Sequence, residues 1–255
     1  MAALSRRHES PYTGNMQLTT TLLFLGVVFV ADFIGTVAGF GTATTLTPAA
    51  SFFLDVKAAI LVVAMLHVIG NCFKIFLFRT IQWEVFVPFG AASVVFSYLG
   101  AILWANLDTK ALELLLGLFL VGFAGYSLTR RLVTLPPKLR VALAGGMTSG
   151  LSAGILGTGG ALRSLFLNAF GLPKETYIAT AALLAIVTDV TRIPIYLNNG
   201  VHLNAHLLQV MALAIPCGFF GTWVGKKLVA IIPVATFRKV VLAALLAVGL
   251  KLVFW

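Results

Sequence analysis

This chain has very little charge. Only 10% of its 255 residues are charged and 60% are hydrophobic, whereas soluble domains have about 25% charged residues. A water-soluble fold of this size cannot bury so much apolar surface, so the composition predicts a polytopic membrane protein. The net charge of +10 comes from residues that lie between apolar runs and form no separate basic domain. We therefore expect a lipid bilayer as the partner and no nucleic acid.

Cysteine and metal-binding clusters are scarce as well. Cys72 and Cys217 both fall inside apolar runs, where a thiol acts as a small packing residue. No Cys, His and Met cluster suits a metal ion. The sequence therefore predicts no disulfide, no metal site and no cofactor.

Long apolar runs are what the sequence has in abundance. They extend over about 17–54, 57–78, 84–106, 110–129, 139–171, 175–197, 205–230 and 233–254. A spanning helix needs about 20 apolar residues, so most runs fit one span, whereas the first and fifth are too long. Each of these two contains a glycine cluster, and we expect a helix, a break and a shorter helix that returns. The prediction is an all-α membrane fold with eight long apolar blocks and up to ten helical segments.

The glycine breaks recur at matching places in two halves. Alignment of the halves pairs Gly39 with Gly157, Gly41 with Gly159, Asn71 with Asp189, and Lys74 with Arg192. This pattern predicts an internal duplication. The expected organisation is a polar N-terminal segment 1–16, repeat 1 over 17–130, a linker 131–138, and repeat 2 over 139–254.

Basic residues predict the orientation of the two halves. The linker region 130–140 is basic without an acidic residue, which indicates the cytoplasmic side of the cell's inner or plasma membrane. Lys226 and Lys227 should share that side. If each half had four simple spans, the linker and Lys226–Lys227 would lie on opposite sides of the membrane. If each broken run returns to the side where it began, they lie on the same side and the second half is inverted. We favour the inverted arrangement, which places Arg6 and Arg7 outside.

The two breaks are the first candidate site. Irregular backbone at membrane depth needs a cavity or protein around it, and paired breaks in two halves point to a transporter binding site. The unpaired N–H groups and dipole at the start of a half-helix favour anions. The alternative is a pair of buried loops that bind nothing. The candidate residues are Gly39, Gly41, Thr42 and Thr44 at the first break, and Gly157, Thr158, Gly159 and Gly160 at the second.

Cations inside the apolar runs are the second candidate group. Arg163 follows Gly160 closely and is the first choice for a substrate contact, because a cation in a membrane helix usually faces a cavity or a partner. The alternative is an arginine that snorkels or faces the cytoplasm. Lys74 and Arg192 are further candidates. Each lies near the end of its helix, so snorkelling is an alternative, and Arg192 is also spaced for a local ion pair with Asp189.

Three side chains are candidates for proton coupling. His67 lies in the middle of a run, where it is either a hydrogen-bonded packing residue or a protonation switch. Asp32 precedes the first break and either carries a proton or pairs with a basic residue. Asp189 is the third.

One enzyme motif is present. Gly150-Leu151-Ser152-Ala153-Gly154 matches the pattern of serine hydrolases, which requires a strand-to-helix elbow. Here the motif lies in a glycine-striped apolar helix, so we expect no enzyme activity.

With both breaks in view, the chain resembles the sulfite exporter TauE/SafE family of membrane permeases over about 17–254. The resemblance rests on Gly39-Phe40-Gly41-Thr42 followed by Thr47-Pro48, on Gly157-Thr158-Gly159-Gly160, and on the blocks 54–57 and 172–175, each followed by an Ala-rich span. Thr42 departs from the usual double glycine.

The resemblance implies a secondary carrier that exports sulfite or organosulfonates such as sulfoacetate. We expect alternating access around a small anion held near the midplane of the bilayer. An anion channel is the main rival, and a cation or metal permease or an intramembrane hydrolase is a weaker one.

Overall fold

The computed structural model describes residues 18–129, 138–199, 201, 203–228, 231 and 233–254. The predicted polar segment 1–16, and the predicted linker apart from Lys138, lie outside the described residues.

The described residues form ten α-helices and no strand, which confirms the all-α prediction. The helices are α1 (Leu18–Ala38), α2 (Thr42–Ala50), α3 (Val56–Phe78), α4 (Trp83–Asn106), α5 (Thr109–Thr129), α6 (Leu139–Leu156), α7 (Gly159–Ala169), α8 (Lys174–Asn198), α9 (Ala205–Leu228) and α10 (Val234–Phe254). By length and composition, α1, α3, α4, α5, α6, α8 and α9 are able to cross a membrane. The chain is a multi-pass membrane protein.

Both long apolar runs break at glycine and then reverse. Gly41 has φ 81° and Gly157 has φ 73°, a backbone conformation that residues with a Cβ rarely adopt. After the first break, Thr45 on α2 donates a hydrogen bond of 3.4 Å back to the carbonyl of Ala31 on α1. After the second, a methyl group on Gly159 would lie 2.5 Å from the carbonyl oxygen of Ser149 on α6. Each short helix therefore returns along the helix before it, as predicted.

Helices of the two halves pack in pairs through glycine. Along α6, Gly150 lies against the backbone of Ser93 on α4, and Gly154 lies against Ser97. The partners rise together along both chains, so α4 and α6 are parallel. The pair α1 and α9 is also parallel and is likewise joined by glycines of α9. Glycine at a contact lets two backbones approach closely, which is how helices associate without a hydrophobic driving force in lipid.

The pairing is unchanged when the two halves are exchanged. The first helix of each half packs against the fourth helix of the other, as α1 with α9 and α6 with α4. Three further pairs join corresponding helices: α2 with α7, α3 with α8, and α5 with α10. This pattern is compatible with two halves related by a two-fold axis. The inverted repeat itself stays a prediction.

Candidate functional site

The two glycine breaks lie against each other in the centre of the fold. A methyl group on Gly160 would lie 2.7 Å from the carbonyl oxygen of Phe40 and 3.5 Å from Cα of Gly41. Further along α2, Thr47 donates a hydrogen bond of 3.4 Å to the carbonyl of Gly157. The starts of α2 and α7 therefore lie side by side.

A cavity of about 310 Å³ opens beside this contact, between α1, α3, α7, α8 and α10. One part of its wall consists of the buried side chains of His67, Lys74 and Arg163. The wall extends to Lys174, which is exposed at the first turn of α8. The cavity therefore connects the buried breaks with the surface.

Arg163 is a buried cation with few polar partners among the described residues. It lies on α7, lines the cavity and is 4% exposed. Its Nη1 donates to the carbonyl of Ala181 at 3.5 Å, which is at the limit of a hydrogen bond, and its Nε has no partner. Among the described residues it forms no ion pair. A buried guanidinium is costly unless something pairs with it, so Arg163 is able to accept an anionic ligand.

Lys74 also lines the cavity but already has protein partners. Its Nζ donates to Oγ1 of Thr42 at 3.0 Å and lies 3.7 Å from Oδ1 of Asp32. Oγ1 of Thr42 in turn donates to the same carboxylate oxygen at 2.7 Å. Lys74 is only 7% exposed, so it is not a snorkelling lysine. The network ties α3 to α1 and to the start of α2.

Arg192 donates hydrogen bonds to several protein groups. It donates to Oδ1 of Asp189 through Nε at 2.9 Å and through Nη2 at 2.8 Å. Its Nη1 donates to the carbonyl of Ala153 at 2.8 Å and to the hydroxyl of Tyr196 at 3.1 Å. The local ion pair with Asp189 is confirmed, and Arg192 is absent from the cavity wall. Its observed contacts are structural ones.

His67 connects the cavity with that ion pair. The side chain lines the cavity and its Nδ1 lies 2.7 Å from Oδ2 of Asp189. Asp189 itself is 1% exposed and is absent from the wall, as is Asp32. Of the three candidates for proton coupling, only His67 reaches the cavity.

The candidate residues at the breaks divide into two sets. Gly39, Gly41 and Gly160 line the cavity, whereas Thr42, Thr44, Gly157, Thr158 and Gly159 do not. The hydroxyl of Thr44 donates to the carbonyl of Phe40 at 2.9 Å, which leaves its donor engaged by backbone. The hydroxyl of Thr158 is buried and has no partner. A substrate contact through any break residue stays a prediction.

Several cavity residues were missed in the sequence. Ser164 and Asn168 line the cavity together with Gly160, and their spacing of four residues along α7 marks one helix face. That spacing could have found them. Tyr177 on α8 donates a hydrogen bond of 2.6 Å to the carbonyl of Gly39 and so holds the first break. Nothing in the local sequence indicates that Arg238 of α10 also reaches this cavity.

The hydrolase motif lies within a helix. Ser152 belongs to α6, and its hydroxyl has no hydrogen-bond partner. His67, the histidine available as a base, is bonded to Asp189 instead. The elbow that the motif requires is absent from α6, which is helical throughout Leu139–Leu156.

The fold defines a polytopic helical membrane protein with a cavity beside its paired helix breaks. A model of the family described as sulfite exporter TauE/SafE matches residues 23–252, and the chain belongs to that family. It is also 27% identical over 155 residues to a probable membrane transporter protein of Methanocaldococcus jannaschii.

That alignment covers 55% of this chain and 58% of the relative. No solved structure matches the chain. The family and the relative both indicate a membrane transporter rather than an enzyme.

Proposed function

We propose that this protein is a secondary transporter that exports small sulfur oxyanions, either sulfite or an organosulfonate such as sulfoacetate. The observation that carries the proposal is the guanidinium of Arg163, which forms no ion pair among the described residues and is buried in a cavity where two helix breaks meet. The family description, sulfite exporter, supports the same class of substrate.

Arg163 is the principal substrate contact in this proposal. A sulfonate or sulfite oxygen would accept the hydrogen bonds that the protein leaves unmet at this side chain. Charge-assisted hydrogen bonds of this kind are about twice as strong as neutral ones. Arg163 forms no ion pair among the described residues, and a bound anion would supply its counterion.

The half-helix starts add a second attraction for an anion. Gly41 and Gly160 line the cavity at the beginnings of α2 and α7, where backbone N–H groups lack helical acceptors. Both helix dipoles place partial positive charge there. We propose that N–H groups within 41–44 and 159–163 hold the oxyanion together with Arg163.

The composition of the wall supports an anion over a cation. Among the described residues that line the cavity are the cations Lys74, Arg163, Lys174 and Arg238, and none of the lining residues is acidic. The wall also contains the apolar side chains of Ala181 and Ala185 on α8. A cavity of about 310 Å³ has room for the organic part of a sulfonate against this apolar wall.

The orientation follows from the distribution of basic residues. Lys174 at the cavity mouth, and Lys226 and Lys227 at the end of α9, are expected to face the cytoplasm with the linker. The structure then corresponds to a form that receives the anion from the cytoplasm. In alternating access one half rocks against the other around the shared breaks. An inside-negative potential would favour export by about 2.3 kcal/mol per charge per 100 mV.

Flux measurements in proteoliposomes test the proposal. The full chain is reconstituted, and efflux of labelled sulfite, sulfoacetate, sulfate and chloride is compared between wild type, Arg163→Ala and Arg140→Gln. Arg140 is exposed at the start of α6, so its variant removes a charge away from the cavity. We expect saturable sulfite or sulfoacetate flux that falls at least about tenfold in Arg163→Ala and is retained in Arg140→Gln.

Two results would overturn the proposal. Unchanged flux and affinity in Arg163→Ala would contradict the assignment of Arg163 as the substrate contact. Absence of flux for both sulfur anions in wild type would contradict the proposed substrate class. An anion channel would give a different result. It would pass ion currents larger than a carrier can support, and efflux of labelled anion would not speed up when unlabelled anion is added on the opposite side.

A further inference from the structure

One hydrogen bond links the cavity wall to the buried ion pair behind it. His67 lies midway along α3, is 7% exposed and lines the cavity. Its Nδ1 lies 2.7 Å from Oδ2 of Asp189, which belongs to the other half of the chain. The imidazole ring therefore stands between the proposed anion and the pair of Asp189 and Arg192.

The hydrogen bonds assign the proton on this ring. Oδ1 of Asp189 accepts from Arg192 at 2.9 and 2.8 Å, so the carboxylate is ionised and is able only to accept. Nδ1 of His67 must therefore donate to Oδ2. In a neutral imidazole this leaves Nε2 with a free lone pair that is able to accept a proton.

The charged groups around the ring come from three helices. They are Asp189 and Arg192 on α8, Lys74 on α3, and Arg163 on α7. Asp189 and Arg192 balance each other, and Lys74 is balanced by Asp32. The helix α2 has no ionisable side chain, and the charged residues of α5 and α9, the other neighbours of α3, lie near the helix ends. Of these groups, Arg163 is the one that forms no ion pair among the described residues.

We propose that His67 takes up a proton when the anion binds and that this proton crosses the membrane with the anion. The inference rests on the proposed anion transport. In the empty cavity, a second positive charge on His67 would be repelled by Arg163. A bound anion removes that repulsion and attracts the imidazolium, so proton and anion strengthen each other's binding, and this coupling is reciprocal.

Asp32 is less suited to this role. Its Oδ1 accepts from Thr42 at 2.7 Å and lies 3.7 Å from Nζ of Lys74, and it does not line the cavity. Protonation of Asp32 would leave Lys74 without its counterion. His67 changes charge without breaking an existing ion pair.

Anion binding as a function of pH is the first test. The affinity of the purified full chain for sulfoacetate is measured between about pH 5.5 and about pH 8, where the charge of this probe is nearly constant. If binding takes up one proton, affinity rises by up to about tenfold for each unit by which the pH falls. His67→Gln keeps an amide donor for Asp189 but does not titrate, so its affinity should be nearly independent of pH.

His206→Gln is the matched control. His206 lies in the first turn of α9 and does not line the cavity, so this variant should keep the pH dependence of wild type. A pH dependence in His67→Gln equal to that of wild type would overturn the proposal. Folding of the variants is checked by thermal unfolding in detergent.

Proton movement during flux is the second test. Proteoliposomes loaded with sulfoacetate and a pH-sensitive dye are diluted into anion-free medium at clamped membrane potential. In wild type and His206→Gln, sulfoacetate efflux should make the interior more alkaline, because each anion takes a proton out. His67→Gln should show sulfoacetate exchange without this pH change.

The two proposals fail in different ways. Absence of sulfoacetate and sulfite flux in wild type would contradict the proposed function. Sulfoacetate flux in wild type without any accompanying proton movement, or proton movement that persists in His67→Gln, would contradict only the role of His67.

Discussion

Two buried arginines in the second half of this protein have opposite surroundings. Arg192, on α8, is 1% exposed and its donors reach a carboxylate, a carbonyl and a phenol. Arg163, on α7, is 4% exposed, has one long hydrogen bond and an Nε without a partner, and faces a cavity. Burial alone therefore does not identify a functional cation. The difference lies in whether the protein itself supplies the counterion: Asp189 pairs with Arg192, whereas none of the described residues forms an ion pair with Arg163.

The largest expected effect is on stability at Arg192. Arg192→Gln would leave Asp189 buried beside His67 without its main counterion. Breaking a buried pair by removing one partner costs about 3–5 kcal/mol, so we expect a large loss of stability. Thermal unfolding in detergent measures it. A variant as stable as wild type would show that this ion pair is not structural.

Arg163→Gln should show the reverse pattern. It removes an uncompensated buried charge, so the stability of the anion-free protein should be unchanged or higher. Affinity for sulfite or sulfoacetate should fall by about 1.5–3 kcal/mol, because hydrogen bonds to charged groups contribute about that much. Calorimetric titration and thermal unfolding of the same sample separate the two quantities. A loss of stability comparable to that of Arg192→Gln would show that Arg163 also has a structural role and would contradict the contrast between the two arginines.

Gly160→Ala tests whether the cavity depends on contact between the breaks. The added methyl group would lie 2.7 Å from the carbonyl of Phe40, and overpacking of this kind costs about 1–3 kcal/mol. We expect reduced stability and reduced anion flux. Gly122→Ala is the control, because a methyl group there meets nothing within 4 Å. Equal flux in the two variants would show that close approach of the breaks is unnecessary.

The smallest expected effect is at the tyrosine that holds the first break. Tyr177→Phe removes the hydrogen bond of 2.6 Å to the carbonyl of Gly39, which contributes about 0.5–1.5 kcal/mol. We expect a modest fall in stability and in the rate of anion flux, measured beside Tyr126→Phe. Tyr126 is exposed on α5. A larger effect in the control would contradict a local role for Tyr177.

Features that depend on neighbouring residues were well predicted. The reversal after Gly39-Phe40-Gly41 and after Gly157 follows from glycine and from run length, and the structure confirms both returns. The family was also predicted, because its motifs are short and local. The pairing of Asp189 with Arg192 was an open alternative based on helical spacing, and it is confirmed.

Features that depend on contacts between distant segments were not predicted. The sequence treated Lys74 and Arg192 as equivalent candidates, but the structure places only Lys74 on the cavity wall. The two cations also find their counterions in different places. Lys74 pairs with Asp32 on another helix, α1, whereas Arg192 pairs with Asp189 on its own helix. Arg238 was missed because a cavity wall is assembled from several helices.

The sequence by itself determined that this is a membrane protein of paired broken helices, because run length, low charge and glycine act locally along the chain. Only the tertiary structure decided which buried charges are neutralised and which remains free. That outcome depends on distances such as the 2.7 Å between His67 and Asp189, residues 122 positions apart. Electrostatic pairing acts through space, and helix packing sets the spacing that makes Arg163 available to an anion.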